Sequence, residues 1–206
     1  MCSHYQAVKK REQFRKHFGC DMPEEAGVAD LWPGKQGLFI RRPREEDGRE
    51  ALPGLFGMVP HWADDTKGTR FTYNARTETV AEKPSFRDAW RLGRHCIIPA
   101  DAIYEPDWRS GKAIATRISR ADEQPMGIAG LWTGWKAPDG SIVRSYTMLT
   151  INAADHALMR NFHKTEDEKR MVVILQEDAY GAWLNAPAED SMAFMQMYPG
   201  ELVAQA

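Results

Sequence analysis

Met126-Gly127-Ile128-Ala129-Gly130-Leu131-Trp132-Thr133-Gly134-Trp135, the turn Pro138-Asp139-Gly140, and Arg144-Ser145-Tyr146-Thr147-Met148-Leu149-Thr150-Ile151 are where the fold is read. Two apolar, β-branched and aromatic runs joined by a Pro-Asp-Gly turn predict two long strands paired as a hairpin. Downstream, residues 171–175 read as a buried strand, residues 178–184 as a helix stopped before Pro187, and residues 192–197 as a last short helix. Upstream, residues 113–119 alternate as a half-exposed strand. Residues 96–99 predict a short buried strand, followed by a second run that carries Glu105. Residues 85–93 predict a short helix with Ser85 as its N-cap and Gly93 as its stop. Residues 55–59 and 37–40 read as strands, and residues 8–18 as an amphipathic helix with Phe14 and Phe18 on one face. Many short strands, few helices and no βαβ alternation predict an α+β fold. The expected architecture is a single domain, residues 1–206, of many short, mostly antiparallel strands in a curled, barrel-like sheet with a few short flanking helices.

Composition narrows the class. The 206 residues are 43% hydrophobic and 27% charged, as expected of a soluble globular chain with a substantial core. No run of about 18 apolar residues exists, so no membrane-spanning helix is expected. Met1-Cys2-Ser3-His4-Tyr5-Gln6 lacks a signal-peptide pattern. Cys2, Cys20 and Cys96 are odd in number and lack disulfide or metal spacing, which with the missing signal points to a reducing cytoplasm. A net charge of −2 gives no whole-molecule attraction to nucleic acid, so any such site must be a local patch.

Several residues carry chemistry. If Met1 is removed, Cys2 holds an α-amine and a thiol on adjacent carbons. The amine, with a reference pKa of about 7.7–8.0, is partly neutral and nucleophilic at pH 7. It condenses with an aldehyde to an imine, and the thiol then closes a five-membered thiazolidine ring. Glu105 follows the apolar Ala102-Ile103-Tyr104, where burial raises a carboxyl pKa toward neutrality and suits it to proton exchange. Asn74 and Arg76 lie two apart on an extended segment and point to one side. The Asn amide can hold an oxyanion or the N-terminal amine, and the Arg fork suits phosphate. Trp62, at a strand end beside His61, offers either a stacking platform for an unpaired base or a core side chain. His163 follows a loop containing Leu158 and Met159. His17, Cys20, His95 and Cys96 match no zinc ligand spacing, and no phosphate-binding glycine loop is present, so neither metal nor cofactor is expected.

Asn74-Ala75-Arg76-Thr77-Glu78-Thr79, Phe56-Gly57-Met58-Val59-Pro60-His61-Trp62, Cys2 and Leu149-Thr150-Ile151-Asn152-Ala153-Ala154-Asp155 resemble, in order and spacing, the SOS-response-associated peptidase family over about residues 1–185. The resemblance implies catalytic roles for Cys2, Asn74, Glu105 and His163. It also implies DNA contacts from Arg76, Trp62, Pro60, His4 and Arg170. Two departures stand out. Ser3-His4 replaces the family's usual Gly-Arg, and Lys164-Thr165-Glu166-Asp167-Glu168-Lys169 is inserted between His163 and Arg170-Met171, with Val172 in place of a proline. Family members often carry a further strand after the position of Gly200, so a trimmed sheet edge is expected here.

The function implied is a covalent sensor of abasic sites in single-stranded DNA. It would act as a monomer without membrane association, and removal of Met1 would be its self-cleaving activity. Two alternatives are a thiol peptidase acting on other proteins and a non-catalytic single-strand-binding module. The first is disfavoured by a nucleophile at position 2, which leaves almost no chain to build an oxyanion turn.

Overall fold

The computed structural model describes residues 2–205. In chain order the elements are β1 (His4–Ala7), α1 (Arg11–Phe18), β2 (Asp30–Leu31), β3 (Gln36–Arg41), β4 (Glu50–Phe56), β5 (Asn74–Arg76), α2 (Arg87–Arg91), β6 (His95–Asp107), β7 (Ile114–Arg120), β8 (Met126–Lys136), β9 (Ile142–Asn152), β10 (Arg170–Val172), β11 (Ile174–Leu175), α3 (Tyr180–Asn185) and β12 (Leu202–Gln205). The hairpin read from the sequence is present: β8 and β9 pair antiparallel from Gly130↔Met148 to Lys136↔Ile142. They anchor a closed barrel of five strands in the order β3–β4–β9–β8–β6, with β6 returning to β3 through Ile97↔Ile40. The remaining strands extend this wall, and only β4–β9 and β5–β9 are parallel among the described pairings.

Closure places alternate side chains of every barrel strand in one core. Phe39, Phe56 and Tyr146 meet there with ring centroids 5.7–5.8 Å apart. Tyr5 reaches them from β1, its hydroxyl 2.5 Å from that of Tyr146. Burying two polar groups as one hydrogen-bonded pair avoids leaving either unsatisfied.

Several expected boundaries differ. Residues 96–99 and the run carrying Glu105 are one strand of 13 residues. Pro99 does not break it, because β6 exchanges partners near that point, from β8 on its first half to β7 on its second. β1 and β2 were not expected, being too short for alternation to register; β1 forms because β2 and β6 flank it on both edges. Helix α1 starts at Arg11 rather than residue 8. Ser85 does not cap α2, which begins two residues later with Phe86 at the cap position and no side-chain cap bond. Gly93 does end that segment, at φ +58°. The segment 178–184 is a 3₁₀ turn, Glu177–Ala179, running into α3, and the last expected helix is a 3₁₀ segment at Ala188–Phe194. A strand does follow Gly200: β12 pairs with β7 from Leu202↔Arg120 to Gln205↔Arg117.

A candidate active site at the start of the chain

The β1–β6 register brings the first residues of the chain against the second half of β6, with His4 opposite Tyr104 and Tyr5 opposite Ile103. Cys2 lies just before β1 and is 1% exposed, its Sγ donating to the His4 carbonyl at 3.3 Å. β5 runs parallel to β9 and presents Asn74, whose Nδ2 donates to the Cys2 carbonyl at 2.7 Å. Glu105, also 1% exposed, faces His163, with Oε2 to Nε2 at 3.1 Å. Residues 2, 74, 105 and 163, far apart in sequence, are thus assembled by one sheet.

Electrostatics follow from burial. Desolvation, with the Glu105 charge adding to it, pushes the Cys2 thiol well above its ordinary range, so it stays protonated near neutrality. Burial pushes the Glu105 carboxyl up to about 7. The His163 imidazole is held down at about 4, by burial first and by the Lys169 ammonium as well. Charge is disfavoured on both members of the pair, so near pH 7 it sits close to a proton-exchange point of the carboxyl.

His163 is one of two non-glycine residues with positive φ among the described residues, at +64°. Such a conformation is sparsely populated and persists only where its surroundings over-determine it. They do so here. The His163 N–H donates to the Pro106 carbonyl at 2.9 Å, and the buried Phe162 bridges to Asp107. At the other end of the inserted loop, the Lys169 ammonium donates to the carbonyls of Phe162 (3.0 Å), His163 (3.2 Å) and Lys164 (2.5 Å). The insertion is gathered onto its own first residues, and the imidazole remains on Glu105.

A family model described as SOS response associated peptidase (SRAP) matches residues 1–205. The chain belongs to the SOS response associated peptidase family. Among curated relatives, the chain is 37% identical over 136 residues to abasic site processing protein YoqW of Bacillus subtilis, covering 66% of this chain and 57% of that protein. It is 25% identical over 178 residues to abasic site processing protein HMCES of Mus musculus, covering 72% of this chain and 48% of the relative. The chain thus matches about half the length of each. A crystal structure of a protein from Bordetella bronchiseptica superposes with a TM-score of 0.91 at 51% identity, covering 98% of each chain. A Bacteroides thetaiotaomicron structure, 20% identical with a TM-score of 0.80, shares the fold.

The family's expected DNA-contact positions fall into different environments. Arg76 is exposed, with Nη1 on Glu168 Oε2 at 2.6 Å. Trp62 is 57% exposed, on the loop that starts with Gly57, whose φ of +112° turns the chain where a Cβ would strike the Thr69 backbone. That loop is tied down by Val59 N–H to Ser145 Oγ (2.8 Å) and by Trp135 Nε1 to the Ala63 carbonyl (2.8 Å). Pro60 is buried beneath it. Pro60, Trp62 and Phe71, the last 74% exposed, all line a surface pocket of about 400 Å³. His4 is not an outstretched basic residue: its ring is packed between Trp32 and Tyr104, and its Nε2 is 3.3 Å from Asp30 Oδ1.

Arg170 departs furthest from its expected place at the DNA. It is 2% exposed, with its terminal nitrogens on Glu78 (2.8 and 2.9 Å), Glu168 (2.8 Å) and the Thr150 carbonyl (2.7 Å). A buried guanidinium with this many acceptors is a strut between β10, β9 and the segment after β5.

Sequence reading missed Tyr73, Phe71 and the role of Lys169. Tyr73 is half-buried, and its hydroxyl is raised by burial and then by Cys2 and Glu105, which places it at the site. Its position just before Asn74 was the only available signal. Phe71 is separated from Trp62 by eight residues of polar chain, so no local pattern links them.

Proposed function

We propose that this chain forms a covalent crosslink with abasic sites in single-stranded DNA through Cys2, once Met1 has been removed. Met1 lies outside the described residues. The observation that carries the reading is a buried cysteine at the second position, beside a buried carboxylic acid–imidazole pair and held at its carbonyl by Asn74. The names of the relatives, abasic site processing proteins, support the same lesion as substrate.

The freed α-amine of Cys2 adds to the C1′ aldehyde of the ring-opened sugar, giving a carbinolamine. Glu105, as a neutral acid, protonates the departing hydroxyl, and water leaves with formation of the imine. The Cys2 sulfur then bonds to the imine carbon. The imine is formed as its iminium ion and keeps its N–H, so as the thiol proton passes to the Glu105 carboxylate the C–S bond closes a neutral thiazolidine and Glu105 is again the acid. A thiol kept protonated by burial needs such an acceptor at the moment of attack. His163 assists opening of the sugar ring and reversal of the crosslink. Asn74 fixes the Cys2 backbone so that amine and sulfur reach the same carbon. Arg76 holds a neighbouring phosphate, and Trp62 with Phe71 receives an unstacked base. The same Cys2, Glu105 and His163 set supports one-time removal of Met1, and the protein works as a monomer in the cytoplasm.

Intact-mass measurement tests this directly. The expected result is protein lacking Met1 that gains the mass of an abasic oligonucleotide, less water, and keeps it through denaturation. Active, crosslinking protein that retains Met1 would refute the amine mechanism. Cys2→Ser is expected to give only a reversible imine, trapped by borohydride and lost without it, because an oxygen closes a less stable ring than sulfur does.

A further inference from the structure

We propose that Trp32, at the outer end of a three-ring column beside Cys2, is a stacking subsite for the nucleobase next to the lesion. This rests on the function proposed above. The rings of Tyr104, His4 and Trp32 form a continuous stack. His4 lies 4.1 Å from Tyr104 at an interplanar angle of 9°, and 4.2 Å from Trp32 at 13°. The inner face of the indole is thus covered by the imidazole, yet Trp32 remains 49% exposed. What it presents outward is a flat aromatic surface continuing the column, which suits the π-face of any base.

The platform is fixed in place. Trp32 opens the turn Trp32-Pro33-Gly34-Lys35, closed by Lys35 N–H to the Trp32 carbonyl at 3.0 Å, with proline second and Gly34 third at φ +85°. Gly34 N–H also donates to the Phe56 carbonyl at 2.7 Å, which ties the turn to β4. Asp30 holds the His4 ring through Nε2, so the middle of the column is fixed as well.

The column also stands next to the chemistry. Its middle ring belongs to His4, whose carbonyl accepts from Cys2 Sγ, and its inner ring to Tyr104, paired with His4 across the β1–β6 ladder on the face of β6 opposite to that of Glu105. Two residues of extended chain, roughly 6.6 Å, separate Cys2 from His4. That distance is comparable with a single step between nucleotides in an unstacked strand. From His4 the column runs a further 4.2 Å to the Trp32 ring, so the neighbour of a lesion held at Cys2 is within reach of its open face. None of the column's three residues lines the pocket that holds Trp62 and Phe71, so the two aromatic surfaces are separate.

The test uses the whole chain and abasic single-stranded oligonucleotides whose neighbour on one side or the other is either a purine or a second baseless residue. Wild-type protein is expected to form adduct faster with the purine neighbour on one particular side, by roughly five- to a hundredfold. Trp32→Ala is expected to abolish that ratio, and Trp32→Phe to keep part of it. If Trp32→Ala slows both substrates alike and keeps the ratio, Trp32 is merely structural and the proposal is overturned. A second readout does not depend on the covalent step: 2-aminopurine beside the lesion is expected to be quenched by wild-type protein and not by Trp32→Ala. If no adduct forms with any abasic substrate, the function proposed above fails, while the quenching still decides the subsite. Equal quenching by both proteins overturns it, as does a concentration-dependent dimer abolished by Trp32→Ala.

Discussion

Glu105 concentrates the consequences of burial in one side chain. Its carboxyl rises from an ordinary 4.5 to about 7 because the charged form is desolvated. An acid with a raised folded pKa binds more protons folded than unfolded between those values, so stability falls as pH rises through that window and is then flat. Glu105→Gln removes the effect. We expect it to raise stability at pH 8 by about 2–3 kcal/mol relative to its effect at pH 4, as read by urea unfolding at both values. The same variant is expected to slow adduct formation by about 10²–10⁴-fold and to delete the limb of the rate profile near pH 7. An unaltered limb would assign it to another group; His163, held at about 4, would not supply it. Cys2 and Glu105 could be singled out as candidates because each is chemically unusual where it stands, a cysteine at position 2 and a lone glutamate in an apolar run, whereas His163 was singled out by the family resemblance. Tyr73 and Trp32 were not legible, since an aromatic residue at a site and one in a core look alike until the fold shows which face stays open.

At the scale of elements, strand pattern carried further than strand boundaries. The β8–β9 hairpin was readable because its runs are long and its turn chemistry is explicit. β6 was read as two pieces because Pro99 punctuates it, and only the exchange of partners from β8 to β7 explains why the strand continues. β1 was invisible, because four residues flanked on both sides take their conformation from neighbours distant in sequence. The inserted loop gives the sharpest element-level prediction. Lys169→Met removes the donor that gathers three successive carbonyls at the loop's start. Charged hydrogen bonds contribute about 1.5–3 kcal/mol, so a measurable fall in Tm is expected. Release of the adduct should slow along with it, because His163 loses the clamp on its positive-φ backbone. A variant that loses stability but releases at the wild-type rate would separate the loop from the imidazole.

Across the whole molecule, the carboxylate of Glu168 links two arginines in different environments. It meets exposed Arg76 at 2.6 Å and buried Arg170 at 2.8 Å. Arg76→Ala is expected to weaken single-strand binding for all sequences and to reduce its salt slope by about 1, with little change in Tm. Arg170→Ala is expected to do the reverse, costing about 2–4 kcal/mol by leaving buried acceptors without their donor while the salt slope stays put. Titrations over a salt series, paired with thermal melts, check both. Equal effects on the slope would return Arg170 to the DNA surface.

The short strand β1 is held between β2 and β6, with Tyr5 registered against Leu31 on one side and Ile103 on the other. On the proposed function, a DNA strand joined at Cys2 would therefore be fastened to the margin of a closed wall. Tension on that DNA would load ladders on both edges of β1 together, with the Asn74 amide sharing the strain at the Cys2 carbonyl. A motor hauling on the joined strand would have to shear a sheet before it could move the protein aside, and in an optical trap the barrel should yield in one abrupt rip, with the covalent junction still intact.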